Sequence, residues 1–420
     1  MTTGQKVVLA LLVLCFLAGL TTGGKLYYRL FVFWSLLFFG SWIWSIFSLR
    51  GLVFTRSART LRAQVGQIFE ERFEVHNQNR FPRLWLEVSD KTTLPGSDGS
   101  RVLTMLLGKQ SRSYVARVRL ARRGVFPLGP TRLMTGDLFG LFPVRLEIPE
   151  QDSLLVYPMM VDVKGFPNPA GLLPGGESLR RRTHQITPNA SGIRDYFAGD
   201  PLNRIHWLST ARRGRLIVKE FELDPMADVW IFFDAAKNVQ AVLPQAPTDY
   251  YAKDFWTHSG QIQLPPSTEE YGISIAASLV RDYLRRGRAV GFVCAGQHLT
   301  LISPDRGGRQ LGKVLEALSI TKAVGELPLR ALIETQVKHM VRGSTIVLIS
   351  SSTSHDVALI VDFLIQRGLK PIMVLMDAST FGGSPGIEDL VANIKFMGIP
   401  YRMIKNEVDL SSALSDSYQR

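Results

Sequence analysis

The sequence predicts a multidomain chain: an N-terminal transmembrane helical hairpin, an all-β sandwich, then a doubly wound parallel-sheet α/β domain. Three patterns carry this prediction. Two uncharged apolar runs precede residue 50, short period-two segments extend to residue 158, and from residue 227 near-continuous apolar runs alternate with helical spacing. A length of 420 residues exceeds one ordinary core, which agrees with such a division.

The hairpin comes from Val7–Leu20 and Leu30–Leu49, both free of charge. A helix rises 1.5 Å per residue, so the second run is long enough for a hydrocarbon layer of about 30 Å. The first is shorter and also has the length of a signal-peptide core, but the second span that follows immediately favours a retained hairpin. Lys6 precedes the first run and Arg50, Arg56, Arg59 and Arg62 follow the second, against Lys25 and Arg29 in the connection. The larger basic flank predicts both termini and the remaining domains in the cytoplasm, with residues 1–56 contacting membrane lipid. Cys15 lies inside a span and Cys294 inside an apolar run, so neither is placed for a disulfide, and no Cys/His cluster has zinc spacing.

Residues 60–158 read as a β-sandwich-like domain. "FEERFEVHNQN", "RLWLEVSD", "RVLTMLLG", "SYVARVRL" and "VRLEIP" alternate with period two, broken by "LPGSDG" and "RRGVFPLGP". Residues 159–226, rich in Gly, Pro and Arg, read as connecting chain. Residues 227–408 then supply "DVWIFFDAA", "AVGFVCAG", "STIVLISSS", "KPIMVLMDAS" and "PYRMI" as strands between amphipathic helices, the pattern of a parallel sheet covered on both faces. Residues 409–420 read as a tail.

Two segments bear a family likeness. "ARRGVFPLGPTRLMTGDLFGLF", Ala121–Phe142, and "GIRDYFAGDPLNRIHWLSTARRGRLIVKEFE", from Gly192, resemble the two signatures of the bacterial domain of unknown function 58 family. Leu138 stands where that family favours proline. The resemblance implies a membrane-anchored protein whose α/β half is a von Willebrand factor A-like domain, working as a protein-interaction partner of a MoxR-type AAA+ ATPase. The signature residues it carries over are Arg194, Asp195, Tyr196, Gly199, Asp200, Arg204, Ile205, Trp207 and Arg212.

The same resemblance bears on metal. A complete adhesion-type site uses DxSxS after the first strand, whereas "DAAKN" keeps Asp234 and replaces both serines by Ala236 and Asn238. Mg²⁺ is the ion such a site would take, but the set is degenerate and no cofactor is expected. Asp234 is read first as a structural hydrogen-bond acceptor, with Lys237 beside it as a neutralising charge. Asp234, Asn238, Ser351 and Asp377 fall at the carboxyl ends of strands, where open α/β sheets bind ligands, and are the expected partner surface. Arg180, Arg181 and Arg182, with only Glu177 near in sequence, read as a second, exposed surface for a partner or for lipid.

In the signature segment Arg194 or Arg204 is expected to pair with Asp195 or Asp200 across a turn, with Tyr196, Phe197, Ile205 and Trp207 buried beneath. His206 beside Trp207 reads as a hydrogen-bonded packing residue. The cluster Ser350, Ser351, Ser352, Ser354, His355 and Asp356 contains the residue types of a hydrolase triad, but triad members come from separate loops and "TSHD" reads as a helix cap. The long stretch 237–267 carries Tyr250, Tyr251, Phe255 and Trp256, suited equally to a protein interface and to an insertion whose aromatics fold back on the domain. The net charge of +13 raises the question of nucleic acid. Arginines between Arg180 and Lys219 alternate with acids, so no nucleic-acid partner is expected. The sequence thus points to a non-enzymatic scaffold, with a metal-dependent hydrolase at the α/β crest as the alternative.

Overall fold

A computed structural model describes residues 2–97, 99–149, 152–167, 190–197, 200, 202, 205–221, 228–244 and 263–415. They form two compact units, divided near residue 160.

The first unit opens with α1 (Thr3–Thr22) and α2 (Lys25–Ser48). The Thr2 hydroxyl accepts from the Gln5 N–H at 3.2 Å and the Gln5 side chain accepts from the Thr2 N–H at 2.8 Å, a reciprocal cap that starts α1. Gly23, at φ 62°, ends it in a left-handed conformation that suits glycine. Phe16 packs on Phe31 at 5.5 Å and joins the pair as a hairpin. Both helices are apolar around their circumference and long enough to cross a membrane.

Among the described residues ten strands follow: β1 (Leu52–Ala58), β2 (Arg62–Gln64), β3 (Ile68–Asn77), β4 (Arg83–Asp90), β5 (Arg101–Leu106), β6 (Ser111–Arg119), β7 (Gly124–Leu128), β8 (Thr131–Thr135), β9 (Val144–Ile148) and β10 (Asp152–Tyr157). They make sheets of order β1-β3-β6, β5-β4-β8-β9 and β2-β10-β7. Alternate residues of β3 are buried, so Phe73 and Val75 face Leu86, Val88 and Leu133 of the four-stranded sheet in one core. A second core gathers Phe69, Val118, Leu128, Leu154 and Val156. The segment "RRGVFPLGP", expected as a break, supplies β7, because Gly124–Val156 pairing with β10 satisfies its backbone.

Arg56 also departs from expectation. Rather than belonging to a solvated basic flank, it lies in β1 with its guanidinium between Glu71 at 2.7 Å and Asp90 at 2.9 Å, both carboxylates almost fully buried. The ring of Phe73 lies 5.0 Å beneath it. One cation serving two buried acids fixes β1, β3 and β4 together. Arg56→Ala leaves both carboxylates uncompensated and is expected to cost about 3–5 kcal/mol, read as a lowered melting temperature of the full chain in detergent.

The second unit contains the hairpin β11 (Ala190–Asp195) and β12 (Ile217–Phe221), with α3 (Trp207–Arg213) between them. Its main body comprises β13 (Val229–Phe233), α4 (Thr268–Arg285), β14 (Val290–Ala295), β15 (Leu299–Asp305), α5 (Gly308–Ile320), α6 (Leu329–Gln336), β16 (Thr345–Ser350), α7 (Asp356–Gln366), β17 (Lys370–Met376), α8 (Ile387–Phe396), β18 (Tyr401–Ile404) and α9 (Leu410–Ser415). The sheet order is β15-β14-β13-β16-β17-β18, parallel except for the antiparallel edge strand β15. On one face Trp230, Phe232 and Leu348 pack with Leu332, Val361 and Ile394 from α6, α7 and α8. On α4, Gly272 admits the Phe233 ring, where a Cβ would come within 2.4 Å.

Two boundaries move. Residues 161–167, expected as connecting chain, lie on α4: the Val161 N–H donates to Ser278 Oγ at 3.0 Å, and Phe166 meets Tyr283 edge-on at 6.1 Å. Residues 410–415, expected in the tail, form α9 with Leu414 buried, and Ser411 Oγ donates to the Asp162 carbonyl at 2.6 Å.

Candidate functional site

The carboxyl edge of the six-stranded sheet brings several expected residues together. Phe233 is in register with Ile349, so the next residues, Asp234 and Ser350, stand side by side where β13 and β16 end. Ser350 Oγ donates to Asp234 Oδ2 at 2.7 Å, and the Ala236 N–H donates to Oδ1 at 3.3 Å. Asp234 is only 3% exposed. Its burial raises the carboxyl pKa, while the Ser350 and Ala236 hydrogen bonds pull it down.

The loop beyond Asp234 is tied down residue by residue. Gln240 Nε2 donates to the Asp234 carbonyl at 2.8 Å, and its Oε1 accepts from Thr268 Oγ1 at 2.8 Å, linking the loop to the start of α4. The Lys237 N–H donates to the Gly325 carbonyl and the Gly325 N–H to the Ala235 carbonyl. Only glycine permits this approach, since a Cβ at 325 would lie 1.9 Å from the Ala295 oxygen. Lys237 and Asn238, in a 3-10 turn, are left exposed. Lys237 forms no salt bridge to Asp234; the expected neutralising charge is replaced by two neutral donors.

Ser351 donates to the Val239 carbonyl at 2.6 Å and so braces the same turn. Asp377, after β17, accepts from the Ser379 N–H at 3.2 Å and the Ser379 hydroxyl at 2.6 Å, capping its own 3-10 turn. It shares the crest with Asp234 but not its hydrogen bonds. Ser350 and Ser351 thus donate to a carboxylate and a carbonyl rather than to a histidine, and "TSHD" contributes the Ser354 hydroxyl, which accepts the Asp356 N–H at 3.2 Å at the start of α7. Nearby, burial and the Asp234 charge push the Cys294 thiol up to about 12, far from thiolate chemistry.

The donor set does not suit Mg²⁺. Both oxygens of Asp234 are engaged, and Ala236 and Asn238 stand where hydroxyl ligands are required. Among the described residues no three His, Cys, Asp or Glu side chains converge as a metal site.

In the signature segment Arg194 meets Asp200 through two bonds of 2.7 Å, and the Phe197 N–H also donates to Asp200 at 2.9 Å. Arg215 lies 3.0 Å from Asp195. His206 starts α3, its Nδ1 2.6 Å from Ser209 Oγ. Ile205, Ile217 and Val218 are buried, and Tyr196 is half-buried. Phe197 and Trp207, expected beneath the turn, are instead 68% and 67% exposed. A two-stranded hairpin has little interior, and these three aliphatic side chains take it. Arg212 is exposed in the last turn of α3, a favourable end for a cation. Gly199, Arg204, Arg180, Arg181, Arg182 and the aromatics at 250–256 lie outside the described residues.

Sequence reasoning missed Gln240, Thr268 and Gly325, and it weighed Ser350 as a nucleophile rather than as the donor to Asp234. No motif marks the first two; the bond to Ser350 follows from parallel register once β13 and β16 are neighbours.

The chain is thus of a class with an apolar helical hairpin, a β-rich unit and a mixed α/β unit, its signature hairpin self-paired by arginine and aspartate. Residues 192–241 match the family described as Protein of unknown function DUF58. It is 21% identical over 323 residues to the Uncharacterized protein YeaD of Bacillus subtilis, covering 74% of this chain and 73% of that one. Two solved structures show remote likeness. The CARDB domain of a Pyrococcus furiosus protein, in complex with di-metal ions, matches at 12% identity and a TM-score of 0.18, covering 25% of this chain and 91% of that one. A chaperone–tip adhesin complex of CFA/I fimbriae matches at 9% identity and 0.14, covering 26% and 61%.

Because the Asp234 pKa is raised on folding, its ionised form costs stability as pH rises through and above the usual carboxylate value of about 4. The cost is absent below that value. Asp234→Asn keeps an acceptor for the Ala236 N–H, and the Ser350 hydroxyl can rotate to accept from the amide. It is expected to melt at or above the parent at neutral pH, with the gap closing toward acid in thermal melts across pH. Asp234→Ala leaves Ser350 and Ala236 without their acceptor and is expected to lose about 1–3 kcal/mol.

Proposed function

We propose that the chain is a membrane-anchored interaction scaffold, its soluble units in the cytoplasm, that presents the crest around Asp234 to a protein partner. The carrying observation is the Asp234–Ser350 bond between β13 and β16. There the strand order reverses, with β14 on one side of β13 and β16 on the other, and such a switch point is where open α/β sheets bind ligands. The order, with one antiparallel edge strand, supports a doubly wound, von Willebrand factor A-like domain.

Exposed Lys237 and Asn238 project from a turn braced by Gln240, Gly325 and Ser351, a rigid base that lowers the entropy cost of recognition. Asp377 extends the same edge, and Arg180, Arg181 and Arg182 offer a complementary basic segment. Family resemblance supports a MoxR-type AAA+ ATPase as the partner, in assembly or maturation of envelope complexes. The alternative of a metal-dependent hydrolase gains nothing from the crest, where both oxygens of Asp234 are engaged and Ser350 and Ser351 face acceptors.

Replacing Asn238 by Arg alters an exposed side chain and leaves the bracing bonds intact. The variant is expected to keep the parent's melting temperature while recovery of an AAA+ ATPase from detergent extracts, with Mg²⁺ and ATP, falls several-fold. Recovery of no ATPase by the parent chain overturns that partner assignment.

A further inference from the structure

The turn "GDLFGLF", Gly136–Phe142, has no part in the crest, yet side chains and backbone groups tie it down at several points. Asp137 is 1% exposed, and its carboxylate accepts the Phe139 N–H at 3.0 Å and the Phe142 N–H at 2.7 Å. Trp85 Nε1 donates to the Asp137 carbonyl at 3.0 Å, and Gly140, at φ 66°, closes the turn. The only charge in the turn is therefore directed inward, and the apex carries Leu138 and Phe139, 65% and 61% exposed.

The turn is held by both apolar helices. Thr2 Oγ1, at the start of α1, donates to the Leu141 carbonyl at 3.0 Å, and the Leu141 side chain lies against Gly4. Ser45 Oγ on α2 donates to the Phe142 carbonyl at 2.6 Å, while the Phe142 ring meets Phe38 at 5.1 Å. Phe38 lies two turns before Ser45, about 10 Å along the axis. Phe142 therefore reaches down the span, away from the Arg50 end. A different side of α2 is held by Phe81, 56% exposed, whose ring stacks on Phe47 at 6.3 Å and meets Trp44 at 6.4 Å.

We propose that Leu138 and Phe139, together with Phe81, insert into the headgroup–acyl boundary of the bilayer and form an interfacial collar around the cytoplasmic end of the hairpin. The inference rests on the membrane-anchored reading of α1 and α2. Continuity with those helices identifies lipid as the occupant: the turn lies at the level of Thr2 and Ser45, within a helical turn of Trp44, and Lys6 and Arg50 supply exposed cations at the same end. Backbone near lipid must find internal partners, and the Leu141 and Phe142 carbonyls do so through hydroxyls of the helices themselves. Leucine and phenylalanine on one side and inward-turned polar groups on the other are the composition of an interfacial anchor.

The test uses the full chain with Cys15→Ala and Cys294→Ala and single cysteines placed in turn by Phe139→Cys, Leu36→Cys and Phe396→Cys. Each is labelled with an environment-sensitive fluorophore and reconstituted into phosphatidylcholine–phosphatidylglycerol vesicles. Leu36 is on the open face of α2, and Phe396 is an exposed residue of the second unit. The expected result is a blue-shifted label at 139 that loses most of its emission to lipids carrying shallow acyl-chain nitroxides and little to aqueous iodide, while the label at 396 shows the reverse. If 36 responds to lipid quenchers but 139 responds to iodide, the collar is overturned and anchoring stands. A label at 139 protected from both quenchers places protein there, a second copy or a partner, and also overturns it. If 36 responds to iodide alone, the anchored reading fails and the collar fails with it.

Discussion

A carboxylate almost fully removed from water has to be met by donors, and at Asp234 the parallel sheet supplies them. The register that places Phe233 beside Ile349 also places Ser350 beside Asp234, so one hydroxyl bridges the two central strands where their directions of winding diverge. Without that donor one oxygen of the buried acid would be left without its partner. With it, Ala236, Gln240, Gly325 and Thr268 close the loop in sequence, and Lys237 and Asn238 are left outside. The shape of the exposed turn therefore follows from how one buried acid is satisfied.

Much of this edge was legible. An apolar run ending in an acid, "DVWIFFD", marks a buried strand and its carboxyl end, and the runs ending at Ser350 and Met376 mark its neighbours. The loop's bracing was not, because Gln240, Thr268 and Gly325 act through backbone contacts that leave no periodic trace. Strand β15 also went unread: on an edge with alternate residues exposed, "LTLISPD" lacks the apolar density of the central strands.

Arginine was the least legible residue type. Arg56 sits among other basic residues in sequence, yet its partners lie 15 and 34 positions away on β3 and β4, and only the fold turns a surface charge into a buried tie. Arg194 was legible because its partner is six residues on, within one turn. Trp207 shows the opposite failure. Its size suggests a core position, but the small hairpin is filled by Ile205, Ile217 and Val218, so the ring stays outside.

The two signature segments solve a common problem by the same means. Each contains a tight turn whose aspartate accepts backbone N–H groups, Asp137 from Phe139 and Phe142, Asp200 from Phe197. An aspartate used in this way fixes a turn without needing an interior beneath it. The apolar residues of the turn are then free to point outward, as Leu138, Phe139, Phe197 and Leu202 do. Exposed apolar side chains on a turn locked by its own polar groups are poorly explained by packing within the unit. They are better explained by a surrounding medium or partner that covers them, and for the first turn, bonded to both apolar helices, the medium proposed above is lipid.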